Sequence, residues 1–256
     1  EQDMIFRRAW LMVGRVDEVP EPGDYIVRDL PTLKASVVIT RGKDGKVRAF
    51  HNACSHRGVA LVCQERGNAM TFRCPYHAWV SRIDGSLSAI PAEQDFPHVD
   101  KATSGLAPIH LDTWAGFIFL NLAQETEATL PQFLAGLDQM LEGAPFDHFP
   151  FSIRVSDEID CNWKNLVNAF NEGYHVQTTH SQMLRYFDDW TQSYARGRHA
   201  HFGYWEAMPM GSRSPRLTGG APTEDIRPGI RDYMEDMAAT LNAGSSVQTV
   251  HAARRV

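Results

Sequence analysis

The chain has 256 residues, 43% of them hydrophobic and 22% charged, with a formal net charge of −6 and a pI near 6.0. That length suits about two ordinary domains, and the acidic balance gives no electrostatic footprint for nucleic acid or an anionic membrane surface, so a small-molecule partner is the better expectation. Residues 115–122, the longest strongly apolar run, fall far short of the ~20 residues of a membrane helix, no secretory signal is visible, and the 4 cysteines make no disulfide framework, so a reducing cytoplasm fits.

In chain order, residues 1–33 read as a lead-in segment. A short charged start precedes the apolar-rich residues 9–16, and the turn signal at 20–23 precedes a strand-like stretch at 24–28, giving a short helix and one or two strands. The first residue is Glu1 rather than Met, so a trimmed N-terminus is expected, and the C-terminus is open to the same reading. From residue 34 to 122 the pattern is all-β. Segments 36–40, 46–50, 69–73, 106–111 and 116–122 are short and rich in β-branched or aromatic residues, with turn signals at Lys43-Asp44-Gly45 and Asp84-Gly85. An all-β domain over residues 34–124 follows, able to hold chemistry at its hairpin tips.

Within it, residues 51–80 (HNACSHRGVALVCQERGNAMTFRCPYHAWV) carry Cys54 with His56 and Cys74 with His77. Two thiolates and two imidazoles suit a Rieske [2Fe–2S] centre, in which one iron takes two Cys and the other two His. They also suit tetrahedral zinc, although zinc motifs more often segregate Cys pairs from His pairs. The alternation of Cys and His in both loops, with Pro75, Tyr76 and Trp79 around the second pair, resembles the Rieske signature CPYHxW. The family's usual Gly after the second His is Ala78 here, which tightens that turn. Replacing two thiolates by imidazoles raises a cluster's potential to roughly −150 to +300 mV, so such a centre passes single electrons. Cys63 and Cys161 read as small buried hydrophobes.

Composition changes after residue 123. Residues 125–142 read as an amphipathic helix with Leu130, Phe133, Leu134, Leu137 and Leu141 on one side, opening a second domain over 125–256; an aromatic, Pro-bounded segment at 145–150 and a strand at 152–159 follow. In NWKNLVNAFNEGYHVQTTH, on a continuous helix Asn168, Glu172 and His175 lie within about 60° of one another, while Trp163, Val167, Phe170 and Tyr174 take the adjoining face and pack into the core. His180 is about 140° further round an ideal helix than His175, so the two can share a metal only if the helix ends or distorts between them, which Thr178 and Thr179 permit.

The run NWK, a polar residue seven before the first His, an acid three before it and then YHxxxxH resembles the mononuclear iron site of Rieske non-haem iron oxygenases, with both motifs in the family's order over residues 4–182. That resemblance implies an α+β protein, with an N-terminal all-β Rieske domain and a C-terminal helix-and-antiparallel-sheet (helix-grip, START-like) catalytic domain. It implies His175 and His180 as ligands of a 2-His-1-carboxylate iron with positions open to dioxygen, Glu172 as a bridge between the two metal sites of neighbouring subunits, and Asn168 as a further residue of the catalytic site. The family's third ligand lies much further downstream; Asp188, Asp189 and Glu206 do not match its place, and none is assigned. The sequence is then a fragment, or the protein does not hold iron in the usual way.

The same resemblance implies a homotrimer, with or without a small β subunit. Electrons would come from NAD(P)H through a separate reductase, with or without a ferredoxin, because no GxGxxG fingerprint occurs. The reaction would be dioxygen-dependent mono- or dihydroxylation, or oxidative demethylation, of an aromatic or similarly apolar compound. A plain Rieske electron carrier and a catalytically deficient subunit are the alternatives. Arg185, Arg196, Arg198, His199 and His201 form either a docking patch for an acidic ferredoxin or a solvated face, the latter preferred. Residues 211–229 read as a loop and 230–241 as a helix.

Overall fold

The computed structural model describes residues 1–137, 141, 146, 157–182 and 191–204. Two compact units divide the chain: Glu1–Phe133 with Pro145–Pro150, and Leu134–Ala144 with Phe151–Val256. The first carries β1 (Leu11–Arg15), β2 (Asp24–Leu30), β3 (Ala35–Arg41), β4 (Val47–His51), β5 (Arg66–Asn68), β6 (Thr71–Arg73), β7 (Val80–Arg82), β8 (Leu87–Ala89), β9 (Pro108–Trp114) and β10 (Phe117–Asn121). A 7-stranded antiparallel sheet runs β1-β10-β9-β4-β3-β2-β5, and β6-β7-β8 form a 3-stranded sheet. The expected β segments all contribute, and the two turn signals join β3 to β4 and β7 to β8. The lead-in residues supply β1 and β2, which pair directly with β10 and β3 in the large sheet.

The large sheet is covered on both faces, and the period of 2 along each strand decides which residue goes where. Tyr25, Val38 and Phe50 face one hydrophobic cluster together with Phe72, Trp79, Ile83, Leu87 and the two cysteines Cys54 and Cys74. Their chain neighbours Ile26, Val37, Ile39 and Ala49 face a second cluster with Val13, Ile109, Ile118 and Leu120. Burial on both sides explains why β3 reads as an unbroken Val-Val-Ile run rather than as an alternation.

Two contacts dock the β7–β8 hairpin on this sheet. Thr40, fully buried, donates its hydroxyl to the carbonyl of Ile83 at 2.8 Å. At the hairpin turn Gly85 has φ +86°, and a Cβ there would come within 2.3 Å of the Phe50 ring, so both the backbone conformation and the space exclude a side chain.

The helical expectations need correction. Among the described residues of 125–142, helix runs over α1 (Leu130–Phe133), is interrupted at residues 134–136 and is resumed at Leu137. Thr129 and Gln132 cap its start, Thr129 N–H donating to Gln132 Oε1 at 2.9 Å, and Gly136 at φ +92° follows soon after it. Leu130 and Leu134 are buried as the periodicity required. Cys63 and Cys161 are exposed, not buried; Cys63 follows the last residue of its apolar run that faces the core, Val62.

In the second unit α2 (Trp163–Ala169) and α3 (Val176–Thr179) are followed by β11 (Thr191–Arg196) and β12 (His199–Tyr204), an antiparallel hairpin turning at Gly197 that the sequence reading missed. The α+β class holds. Residues 157–159 form no strand, while 151–156, 205–256, Arg185, Asp188, Asp189 and Glu206 lie outside the described residues, as do the expected loop at 211–229 and helix at 230–241. Among the described residues no helix is long and apolar enough to cross a membrane.

Replacing Thr40 by Val keeps the shape but leaves the Ile83 carbonyl without its buried donor, a loss of roughly 1–3 kcal/mol. The expected result is a lower urea midpoint at unchanged slope; an unshifted midpoint would show that the bond does not hold the hairpin.

Candidate functional site

The two ligand loops are built on one turn used twice. Cys54 N–H donates to Val59 O and Cys74 N–H to Trp79 O, both at 2.8 Å, while Gly58 N–H returns to Cys54 O at 2.8 Å and Ala78 N–H to Cys74 O at 3.0 Å. The fourth residue after each cysteine is left-handed, Gly58 at φ +71° and Ala78 at φ +58°. A non-glycine residue there costs about 1–2 kcal/mol, and Ala, with only a Cβ, is a small intruder. His56 and His77 thus project from equivalent turns at offsets that differ by one residue, and their rings come to 4.7 Å between centroids.

Both cysteines are buried in the first hydrophobic cluster. Burial pushes the Cys54 thiol upward in pKa, with backbone N–H groups of His56 and Arg57 working against it. Burial acts on Cys74 in the same sense, but the backbone N–H groups of His77 and Tyr76 and the neighbouring Cys54 thiol outweigh it, and its pKa falls. Each sulfur is therefore surrounded by amide donors suited to a thiolate. His56 is driven toward the neutral form, first by desolvation and then by the positive charge of His77 and Arg57. Its ring stacks on Trp79 at 4.7 Å and 7° and meets Phe96 edge-on at 6.0 Å, whereas His77 lies under the exposed Tyr76, centroids 3.8 Å apart.

His56 Nδ1 is buried and has no hydrogen-bond partner. A buried ring nitrogen is rarely left so, and a metal-ligating nitrogen is the chemistry that resolves it. A [2Fe–2S] cluster asks two ligands of each iron, and here the Cys54 and Cys74 side chains neighbour each other while the His56 and His77 rings stand 4.7 Å apart. The residues present therefore fit a [2Fe–2S] cluster.

Asn52, which sequence reasoning did not single out, holds the first loop from beneath. Its side chain is buried; Oδ1 accepts from Leu61 N–H at 3.1 Å and Val62 N–H at 3.0 Å, and Nδ2 donates to Val62 O at 2.7 Å and Ser36 Oγ at 3.2 Å. Nothing in its local sequence marks it, because its partners come from two other segments.

In the second stretch the continuous helix expected over residues 163–175 is overturned. Asn162 caps α2, accepting from Lys164 N–H at 3.0 Å, and the helix ends at Ala169. Glu172 sits in the break and His175 is the N-cap of α3, whose C-cap is His180. The contact expected between Glu172 and His175 is nevertheless made: His175 Nδ1 is hydrogen-bonded to Glu172 Oε1. The backbone N–H of Tyr174 donates to Glu172 Oε2, and that of His175 does so at 3.2 Å. The His175 hydrogen bond, the largest influence, holds the Glu172 carboxyl below its ordinary pKa. With Nδ1 engaged, His175 Nε2 is the nitrogen left for a metal.

The helix ends between the two histidines as their sharing a metal required, and their rings stand 5.3 Å apart at 76°. Asn168 is on the exposed surface of α2, its carbonyl accepting from Asn171 N–H at 3.1 Å. The expected core face is also corrected: Trp163, Val167, Phe170 and Tyr174 are all exposed, Tyr174 by 86%, those before the break as well as those after it. Of the basic group, Arg198 is exposed at the hairpin turn and Arg185 is outside the described residues.

The fold and site define a protein of the iron–sulfur class, with its paired Cys–His turns in the first unit and Glu172, His175 and His180 near one another in the second. A family model described as a Rieske [2Fe-2S] domain matches residues 9–106, and one described as the ring hydroxylating alpha subunit (catalytic domain) matches residues 146–240. The chain belongs to the Rieske oxygenase alpha subunits. It is 32% identical over 211 residues to a carnitine monooxygenase oxygenase subunit of Acinetobacter pittii (strain PHEA-2), covering 77% of this chain and 56% of that protein. It is 34% identical over 188 residues to a glycine betaine monooxygenase oxygenase subunit of Pseudomonas aeruginosa (strain UCBPP-PA14), covering 73% and 42%. Among solved structures, a quaternary ammonium Rieske monooxygenase in complex with γ-butyrobetaine matches with a TM-score of 0.71 and 30% identity over 82% of this chain and 58% of that one. The chain thus spans about half the length of the curated relatives it matches.

Asn52→Ala removes four hydrogen bonds and strands the N–H groups of Leu61 and Val62 under the first loop. A loss of about 3 kcal/mol is expected, with the visible absorption of the cluster bleaching at lower urea than in the unaltered protein. Bleaching at the same urea concentration would remove Asn52 from the account.

Proposed function

We propose that the protein containing this chain is the terminal oxygenase of a cytoplasmic Rieske non-haem iron system, oxygenating a quaternary ammonium compound. The observation that carries it is that one chain holds both a cluster-shaped Cys–His pair of turns, with an orphaned buried nitrogen on His56, and a Glu172–His175 pair beside His180. A pure electron carrier has no use for the second group. When bound, a Rieske cluster supplies single electrons and a 2-His-1-carboxylate iron supplies open positions for dioxygen.

In this reading residues 34–124, with the lead-in strands, form the cluster domain, and the iron domain begins near residue 125. Cys54 and Cys74 hold one iron of the cluster and His56 and His77 the other. Trp79 and Phe96 keep water from the His56 ring, and His77 with Tyr76 makes the more exposed edge, toward which a reductase or ferredoxin fed by NAD(P)H delivers electrons. His175 and His180 hold the mononuclear iron. Glu172 fixes the tautomer and direction of the His175 ring. A carboxylate has about four lone-pair sites; three donors use Glu172 here, leaving room for one more N–H. His77 of a second copy in a homotrimer is the donor that would complete a bridge, and Asn168 supports the site from the end of α2.

The substrate class rests on the carnitine and glycine betaine named for the relatives. A quaternary ammonium has no N–H to donate and is recognised by aromatic faces; Phe170 and Tyr174, both exposed, flank the Glu172 turn. An aromatic substrate, the expectation from sequence, keeps one support in the ring-hydroxylating description of the matched catalytic domain.

The intact protein should contain about three irons per chain and, once reduced, give a Rieske-type electron paramagnetic resonance signal; His175→Ala or His180→Ala should leave about two, with the signal unaltered. Supplied with reductase, NADH and labelled dioxygen, it should place oxygen into carnitine, glycine betaine or γ-butyrobetaine in preference to naphthalene. Zinc in place of iron, or iron content unmoved by the His175 and His180 variants, rules this function out, and preference for naphthalene rules out the substrate class.

Glu172→Gln should load both metals yet slow reoxidation of the reduced cluster by roughly 10–100-fold in a single turnover. Reoxidation at the unaltered rate would exclude Glu172 as the bridge.

A further inference from the structure

The break that carries Glu172 is not self-supporting. It joins a helix of 7 residues to one of 4, both too short to persist alone; the N–H groups of Phe170 and Asn171 close the end of α2 on Leu166, Val167 and Asn168, but the Asn171 carbonyl takes its partner from outside. The support comes from β11. Side chains two apart on a strand share a face, which puts Thr191 and Ser193 on one side, and both meet the break. Ser193 Oγ donates to the Asn171 carbonyl at 2.6 Å. A Cβ built on Gly173 would stand 2.5 Å from Thr191 Oγ1 and 2.7 Å from its Cγ2. Gly173 does not have positive φ, so glycine is needed there for room and not for backbone freedom.

Asn171 and Gly173 are the two residues flanking Glu172. One face of one strand therefore grips the turn on both sides of the carboxylate that accepts the His175 ring N–H. We infer that β11 is the positioning strand of the mononuclear iron site: Ser193, by its hydrogen bond, and Thr191, by close packing on Gly173, set the Glu172 turn and so aim His175 Nε2 at the metal. The inference rests on the reading of His175 and His180 as iron ligands. Neither Thr191 nor Ser193 touches the metal or substrate in this role. Both act through residues 171–173, as the outer partners of metal-bound histidines do.

The test uses the intact protein with its cluster in place and the mononuclear site emptied and retitrated with ferrous iron. Ser193→Ala should weaken iron binding about tenfold, while Ser193→Thr, which keeps the hydroxyl at an exposed position, should bind as the unaltered protein does. Gly173→Ala should weaken binding at least as much, and adding Thr191→Ala, which removes the two atoms in the way, should recover a large part of it. Independently of metal, the backbone N–H groups of Tyr174 and His175, both bonded to the Glu172 carboxylate, should exchange with water about fivefold faster in Ser193→Ala. A structural role remote from the site would leave those two amides unmoved. His175→Ala, run in parallel, must abolish iron binding; if it does not, the iron-site reading fails rather than the clamp. If His175→Ala does abolish it while Ser193→Ala and Gly173→Ala bind normally, or if Thr191→Ala fails to rescue Gly173→Ala, the positioning role of β11 is overturned.

Discussion

The first unit depends on a pair of turns whose amides close back on their own cysteines. A thiolate buried in a hydrophobic cluster is costly unless N–H donors surround it, and here the donors come from the same few residues that carry the imidazole ligands. The turn therefore does two tasks with one set of atoms: it satisfies the sulfur and it aims the histidine. Using it twice brings four ligand side chains to one tip of the fold, and the left-handed residues Gly58 and Ala78 make the reversal possible.

Beneath the tip, rigidity comes from a sheet buried on both faces. Because β3 and β4 are gripped from either side, the groups they present have little freedom, and Thr40, Phe50 and Asn52 all lie on or next to these strands. Thr40 and Phe50 seat the hairpin that follows the second ligand loop, and Asn52 seats the first. The metal loops thus stand on the stiffest part of the unit, which suits a centre whose geometry must change little between oxidation states.

The second unit solves a related problem with less material. Its candidate ligands occupy the two ends of one short helix, and the carboxylate that orients His175 sits in a break that a neighbouring strand holds open. A straight helix would also have put Glu172 near His175, but it would have carried His180 far round the axis. The break supplies Glu172, and the end of the helix at Thr179 takes His180 off the helical path, leaving the His175 and His180 rings 5.3 Å apart. The hydrogen bond that Nδ1 donates to Glu172 fixes the tautomer of the His175 ring.

By itself the sequence singled out the candidate ligands: Cys54, His56, Cys74 and His77 in alternating pairs, and the Glu172, His175, His180 spacing, are local patterns legible without coordinates. It also determined most strands of the first unit, since β-branched segments between turn signals are short-range features. What it left open was decided by contacts between distant segments. Asn52 takes its partners from residues 36, 61 and 62, and Thr40 takes its partner from residue 83. The break before His175 is held by residues 191 and 193. Helical periodicity over residues 163–175 predicted a single helix with a buried apolar face because periodicity records only neighbours along the chain. The interruption is stabilised by a hydroxyl and a methyl group about twenty residues away, and only the tertiary structure brings those into reach.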